Sequence, residues 1–291
     1  MINLDANNNF PVSKNLDENL EYIKNVFQPD KNFDFVIREF HISTQAGIIK
    51  AFLIFFDGLA NKEFINRDIL NPLMTADPKE DNLPAEELIY NRLLTQAPNS
   101  KLTEMNEIID LVCFGNCALF AEGCSCAFVA DVKGWGTRSV GRPVAEAVLS
   151  GPQEAFCETV MTNISLVRKI LKDPRLMSEN IPVGTLSKTP CALMYIEGLA
   201  NTNLISEARR RLENISTDYI FSSSEVEMLI EDSTYLPLPQ ILKTERPDRA
   251  AAQLGDGKVA IILQGSPFVL ILPVTASDLI ESSEYNYVRL P

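Results

Sequence analysis

The chain carries one histidine in 291 residues. That residue, His41, stands between Phe40 and Ile42 in a strand-like run. A Ser-His-Asp relay or a histidine-based metal centre would rest on it alone, so a half-buried structural role is expected for it. Basic residues are scarce too. Twenty-six Lys and Arg face 39 Asp and Glu, for a formal net charge of −13. A surface so acidic repels phosphate backbones, which leaves nucleic acid without support as a partner. The one basic triplet, Arg209-Arg210-Arg211, spreads around a helical turn and reads as a solvated face. The patterns G-x-S-x-G, H-E-x-x-H, G-x-x-x-x-G-K-[ST] and G-x-G-x-x-G do not occur. The opening MINLDANNNF has no apolar core, so no export signal is predicted. The most apolar window, Val259 to Val274, is broken by Gln264-Gly265-Ser266-Pro267 and falls short of the ~20 residues of a membrane-spanning helix.

Six cysteines are present: Cys113, Cys117, Cys124, Cys126, Cys157 and Cys191. Four of them follow a C-x3-C-x6-C-x-C spacing that lacks the paired C-x2-C knuckles of structural zinc sites. They read as small buried hydrophobes in a reducing compartment. No metal, cofactor or catalytic residue is expected.

What the chain does contain is helix and strand patterning ample for a core. Leu16, Leu20, Ile23 and Phe27 make one helical stripe. FDFVIREFHI and IIKAFLIFFDGL read as strands joined at Gln45-Ala46-Gly47. AEELIYNRLL and EMNEIIDLV read as helices, and CALFAEGCSCAFVADV as a hairpin turning at Glu122-Gly123. A packed Gly134-Trp135-Gly136 loop follows. Pro152 suits a first helical position, so a long helix is predicted from there to Asp173-Pro174, with Phe156, Val160, Ile164, Val167 and Leu171 as its stripe. Beyond it come short strands near IPVGTL and at DYIF, a strand ALMYIEGL, and a helix NLISEARRRLENI. A helix capped by Ser222 and Glu225, a helix opening at Pro247 and ending at Gly255, and a closing hairpin complete the series.

Two pentapeptides expose the plan. DGLAN occupies 57–61 and EGLAN occupies 197–201. At this offset of 140 positions Leu53/Leu193, Ile65/Ile205 and the shared Gly-Leu-Ala-Asn residues are identical. The two hairpins align at an offset of 142. A period this long is a duplicated domain and not a solenoid. The predicted fold class is therefore α/β, with two related lobes, each a mixed sheet with flanking helices and a terminal β-hairpin. The lobes are placed at residues 1–141 and 142–291, the second beginning with the long helix. In each pentapeptide the acidic residue ends a strand, Gly58 or Gly198 makes a turn at positive φ, Leu and Ala pack beneath it, and Asn61 or Asn201 caps a helix. Asp57 and Glu197 also lie at carboxyl ends of strands, where α/β sheets bind ligands. The candidate ligand or interface residues are thus Asp57, Gly58, Asn61, Glu197, Gly198 and Asn201, with Arg246. One alternative is a bilobed small-molecule-binding module with a ligand between the lobes. An acid–base site on the paired carboxylates is the least supported reading.

Longer stretches carry a family resemblance. They include FFDGLANKEFINRDILNPLM, KGWGTRS, SGPQEAFCETVMTNISLVRKILKDPRL, SKTPCALMYIEGLAN and TERPDRAAAQLGDGKVAIILQGSPFVLILP. Together they resemble the soluble N-terminal domain of the A subunit of GerA-type spore germinant receptors, from about residue 13 to residue 291. Ser150 and Ala155 depart from that pattern, where Arg and Gly are usual. The resemblance implies a non-enzymatic domain on the cytoplasmic side of the spore inner membrane, followed after Arg289 by a transmembrane part. It implies B and C subunits as partners and homo-oligomer formation through the membrane part, in a complex that answers nutrients with ion release.

Overall fold

A computed structural model describes residues 10–44, 47–75, 84–93, 99–134, 141–143, 146, 148, 151–232 and 238–280. The predicted turn residues Gln45 and Ala46, and Trp135 with Gly136, lie outside them.

Two compact units emerge. Unit 1 takes its described residues from Met1–Asp30, Asp34–Gly136 and Lys172–Pro174. Unit 2 takes them from Lys31–Phe33, Thr137–Leu171 and Arg175–Pro291. The two exchanged tripeptides begin 141 positions apart, close to the offset of the repeat.

Unit 1 contains α1 (Leu16–Phe27), β1 (Phe35–Thr44), β2 (Gly47–Phe56), α2 (Lys62–Phe64), a π-helical turn (Ile65–Leu70), α3 (Asn71–Thr75), α4 (Ala85–Leu93), β3 (Asn99–Leu102), α5 (Met105–Cys113), β4 (Cys117–Ala121) and β5 (Ala127–Ala130). Its sheet order is β1-β2-β4-β5-β3. Unit 2 contains α6 (Val160–Ile170), β6 (Leu176–Asn180), β7 (Cys191–Ile196), α7 (Thr202–Glu213), α8 (Ser223–Ile230), β8 (Leu242–Thr244), α9 (Pro247–Gly255), β9 (Val259–Leu263), β10 (Val269–Leu272) and α10 (Ala276–Ile280). Its order, β6-β7-β9-β10-β8, repeats that of unit 1 strand for strand. Register is kept as well: Phe52 faces Phe120 in unit 1, and Ala192 faces Ile262 in unit 2.

Both sheets are covered on both faces, which explains why their central strands read as unbroken apolar runs. In unit 1, Leu53, Phe55 and Phe128 pack with Ile65, Ile69 and Leu73 on one side. Phe52, Ile54 and Phe120 pack with Ile23, Phe27 and Ile108 on the other. In unit 2, Leu193 and Tyr195 meet α7 and α8 through Ile205, Leu212 and Val226. Ala192 and Met194 meet α6 and α9 through Ile164, Val167, Ala250 and Leu254. At roughly 1.5–3 kcal/mol per fully buried large apolar side chain, these four clusters are the main source of stability.

The two-lobed α/β plan agrees with the sequence reading, but details differ. A mixed sheet was the expectation, whereas the described ladders all run antiparallel. Parallel pairing in unit 2 is the single bridge from Asn32 to Ser178. The long helix is shorter than its Pro152 signal: α6 starts at Val160 after Thr159. Two groups hold residues 152–158 out of the helix. The Phe156 N–H donates to the Glu245 carbonyl at 2.8 Å. The Asn163 amide accepts from the Cys157 N–H at 2.8 Å and donates to its carbonyl at 2.6 Å. The strand expected near IPVGTL lies earlier, at β6, and leaves only a bridge between Val183 and Thr189. DYIF forms no strand. The edge strands β3 and β8 had no sequence signal of their own.

Candidate functional site

The two pentapeptide turns come first. Gly58 has φ of 86° and Gly198 has φ of 80°, the left-handed region that glycine adopts freely. Ala60 N–H donates to Phe56 O at 3.1 Å, and Ala200 N–H to Ile196 O at 3.0 Å. Asn61 then accepts from the N–H of Glu63 and Phe64, and Asn201 from that of Asn203. The copies diverge at leucine: Leu59 is buried, whereas Leu199 is half exposed. Asp57 pairs with Lys62 at 2.7 Å, and Glu197 with Lys31 at 3.3 Å. Asp57 belongs to unit 1, and Glu197 and Arg246 to unit 2.

Arg246 is fully buried. Its Nη2 reaches Asp248 at 2.7 Å and the Pro152 carbonyl at 3.3 Å, and its Nη1 reaches the Glu146 carbonyl at 3.3 Å. Pro247 takes the first position of α9, where a missing N–H costs nothing. Around it sits a polar clasp centred on Glu146. One carboxylate oxygen accepts from Thr244 Oγ1 at 2.6 Å and from the Glu245 N–H at 3.0 Å, while the other pairs with Arg249. The Glu146 N–H donates to Glu245 Oε1 at 2.8 Å. The stretch TERPDR is thus a structural clasp for the segment preceding α6. Nothing in the local sequence around Glu146 announces this role, because its partners lie about 100 residues away.

Two further polar clusters were not read from the sequence. Arg168, buried on α6, donates to Leu176 O at 3.0 Å and to Asn32 Oδ1 at 2.9 Å, which binds the exchanged tripeptide into unit 2. Tyr195 donates to Glu179, which Arg209 clamps through two bonds of 2.7 and 2.6 Å. Burial disfavours the ionised Glu179 carboxyl, but the Arg209 and Tyr195 hydrogen bonds outweigh it and hold the group below its usual range. Burial, and then the bond to Glu179, pushes Tyr195 up.

The duplication also repeats a cleft beneath the helix that follows each pentapeptide. In unit 1 a cleft of about 180 Å³ is lined by Phe64, Arg67, Asp68 and Asp131. In unit 2 one of about 150 Å³ is lined by the corresponding Leu204, Glu207, Ala208 and Pro273. Only the first presents Asp68 at its wall, clamped by Arg67 at 2.6 and 2.8 Å. These two residues lie on the π-helical turn, where unit 2 has the regular helix α7. A larger cleft of about 370 Å³ opens where α7 and α8 end, beside Arg210, Arg211 and Asp232. Arg211 is already engaged there with Ile230 O, Asp232 and Glu207.

Near the end of the described chain, Asp278 receives Thr275 N–H and Oγ1, each at 2.6 Å, and pairs with Lys258. Burial opposes ionisation of Asp278, but the bonds from Lys258 and Thr275 prevail and lower its pKa to about 2. Because the folded-state value is depressed, the stabilisation is fully present above the unfolded value of about 3.9 and is lost as pH falls through about 2. We expect the stability of the wild type to drop through this window more steeply than that of Asp278→Asn. Parallel acid titrations of chemical unfolding check this, and identical slopes would contradict it.

Among the described residues the six cysteines are free, and no group of three His, Cys, Asp or Glu side chains is placed to hold a metal. Burial pushes the thiol of Cys117 up, that of Cys191 to about 12, that of Cys126 to about 12 and that of Cys124 to about 11. Such thiols are unreactive at neutral pH. Cys157 is the one half-buried cysteine. We expect a single fast thiol in native protein titrated with a disulfide reagent, and six after denaturation. Two or more fast thiols would refute the burial assignment.

A duplicated antiparallel sheet, each copy covered by helices on both faces, defines a bilobed α/β domain. Residues 21–291 match the family model described as Bacillus/Clostridium GerA spore germination protein, and the chain belongs to that family. It is 34% identical over 286 residues to uncharacterized membrane protein YfkQ of Bacillus subtilis (strain 168), covering 98% of this chain and 54% of that protein. Spore germination protein KA of the same organism is 32% identical over 278 residues, covering 96% of this chain and 50% of that protein. The chain spans about half the length of these relatives. The crystal structure of the N-terminal domain of the A subunit of the Bacillus megaterium spore germinant receptor GerK3 superposes with a TM-score of 0.72 at 30% identity, covering 92% of this chain and 98% of that one. Membership places the chain among spore germination proteins and not among enzymes. No helix among the described residues is long and apolar enough to cross a membrane.

Proposed function

We propose that this chain acts as the regulatory and assembly domain of a germinant receptor A-type subunit, working with B and C subunits. The observation that carries this is the match over nearly the whole chain to an N-terminal domain of a receptor A subunit. On this reading the domain lies on the cytoplasmic side of the spore inner membrane and helps the membrane part form a homo-oligomeric channel. The pentapeptide turns, with Asp57, Gly58, Asn61, Glu197, Gly198 and Asn201, are candidate docking positions for neighbouring subunits, and Arg246 supports the fold of unit 2 from within. The test is made in spores. Deleting the codons for residues 1–291 should abolish nutrient-triggered germination mediated by this receptor. It should also prevent the tagged receptor from copurifying with its B and C subunits. Normal germination and copurification would overturn the reading.

The unit 1 cleft favours a second reading, a small polar ligand held by Asp68, Asp131 and Arg67. Thermal-shift measurements with amino acids, sugars and nucleotides separate the two. A dose-dependent rise in melting temperature, lost in Asp68→Asn, supports a ligand, whereas no shift favours assembly.

A further inference from the structure

We propose that Arg249 couples Glu146 to Asp278 on the closing helix α10, so that loosening either contact loosens the other. The guanidinium bridges elements far apart in the chain. One nitrogen pairs with the carboxylate of Glu146, 103 positions away. The other donates to the carbonyl of Asp278 at 3.1 Å, 29 positions away. Arg249 stands on α9, whose neighbouring Ala250, Ala251 and Leu254 are buried in the core. Its base is therefore fixed, and its head reaches two segments that lie outside the sheet.

Each end is held by further bonds that Arg249 orients. Glu146 is fixed through its carboxylate, its N–H and its carbonyl to Thr244, Glu245 and Arg246. Asp278 is fixed through its carboxylate to Lys258 and Thr275. The side chains of Arg249, Glu146 and Asp278 are only 16%, 14% and 5% exposed. A pair so shielded from solvent interacts more strongly than a surface salt bridge. A planar guanidinium held at one nitrogen is also oriented at the other. Loss of the Glu146 carboxylate therefore loosens the grip on the Asp278 carbonyl, and weakening the side-chain bonds that hold Asp278 in place displaces that carbonyl and loosens Glu146, since coupling of this kind is reciprocal. On the receptor reading proposed above, this bridge carries a loosening at Glu146 to α10. The coupling itself does not depend on that reading.

Two amides report on the two ends. The Glu146 N–H donates to Glu245, and the Thr275 N–H donates to Asp278. Hydrogen exchange of both is measured in the intact chain for wild type, Glu146→Gln, Asp278→Asn and Arg249→Met, with the Asp57 N–H, bonded to Asp34 O, as a control in unit 1. We expect Glu146→Gln to speed exchange at Thr275, and Asp278→Asn to speed exchange at Glu146, each about threefold or more, with the control unchanged. Arg249→Met should speed both. If each variant speeds only the amide at its own end, the two contacts are independent and the proposal fails. Should Arg249→Met unfold, the two conservative variants decide the matter alone. The readout needs no membrane, partner or nutrient, so a negative result here leaves the receptor reading intact, and failure of the spore test leaves this one intact.

Discussion

Replacing Arg246 with alanine should destabilise unit 2 by about 3–5 kcal/mol, the cost of breaking a buried ion pair from one side. The residue is fully buried and paired with Asp248, itself largely shielded. Truncation removes the guanidinium bonds to that carboxylate and to the carbonyls of Glu146 and Pro152. It also opens a cavity beneath the segment preceding α6. Arg246→Met refills the volume but not the charge and should recover only part of the loss. Asp248→Asn keeps a hydrogen-bond acceptor and should cost less than either. Chemical unfolding followed by hydrogen exchange in β9 and α9 gives the measurement. The outcome also separates two roles. An Arg246 serving only a ligand would leave unfolding unchanged on truncation and affect binding alone.

Local chemistry was legible in the sequence wherever one residue decides one turn. The positive φ of Gly58 and Gly198, the caps at Asn61 and Asn201, and Pro247 at the start of α9 each follow from a single side chain or its absence. Ser222 also caps α8 by accepting from Glu225 N–H, while the Glu225 carboxylate reaches back to Phe221 N–H rather than to Ser222. Duplication was legible because identical residues recur at a nearly constant offset. The start of α6 was not, because it is decided by Glu245, about 90 residues downstream of Phe156, through a main-chain bond that has no composition. The edge strands β3 and β8 are short and polar in part, as NSKL and LKT, and owe their form to pairing with β5 and β10. Of the candidate site, the turns were readable and the clasp around Glu146 was not.

The two copies of the repeat share one plan and differ in particular elements. The sheets keep order and register although their core residues differ, with Ala192 standing for Phe52 and Ile262 for Phe120. The helix after each pentapeptide does not. Unit 1 has a π-helical turn where unit 2 has the regular helix α7, and sets Asp68 where unit 2 has Ala208. A buried carboxylate costs desolvation energy that alanine does not, and Arg67 offsets it from an exposed position. The Arg67 hydrogen bond is accordingly the first cause of the lowered pKa of Asp68.

Glycine at 134 should prove less replaceable than Gly198 of the second repeated turn. A Cβ at Gly134 would lie 2.6 Å from the Cβ of Asn61 and 2.8 Å from its Cα and backbone nitrogen. Backbone cannot rotate aside as a long side chain can. The turn is held there by the Gly134 N–H to Leu59 O at 2.9 Å and the Asn61 N–H to Val132 O at 2.8 Å. Gly134→Ala must therefore push Asn61 away, break these bonds and disturb the cap of α2, at a cost of about 2–3 kcal/mol typical of overpacking. Gly198 is the opposite case: its φ of 80° disfavours any side chain, yet a Cβ there meets nothing within 4 Å. Gly198→Ala should cost only the left-handed penalty of about 1–2 kcal/mol. The bulkier Val at Gly58 or Gly198 should cost more than Ala, because its branched side chain fits that region worse. Melting temperatures of the single variants rank these effects, and a Gly134→Ala protein as stable as Gly198→Ala would show that the Asn61 turn yields to the added methyl group.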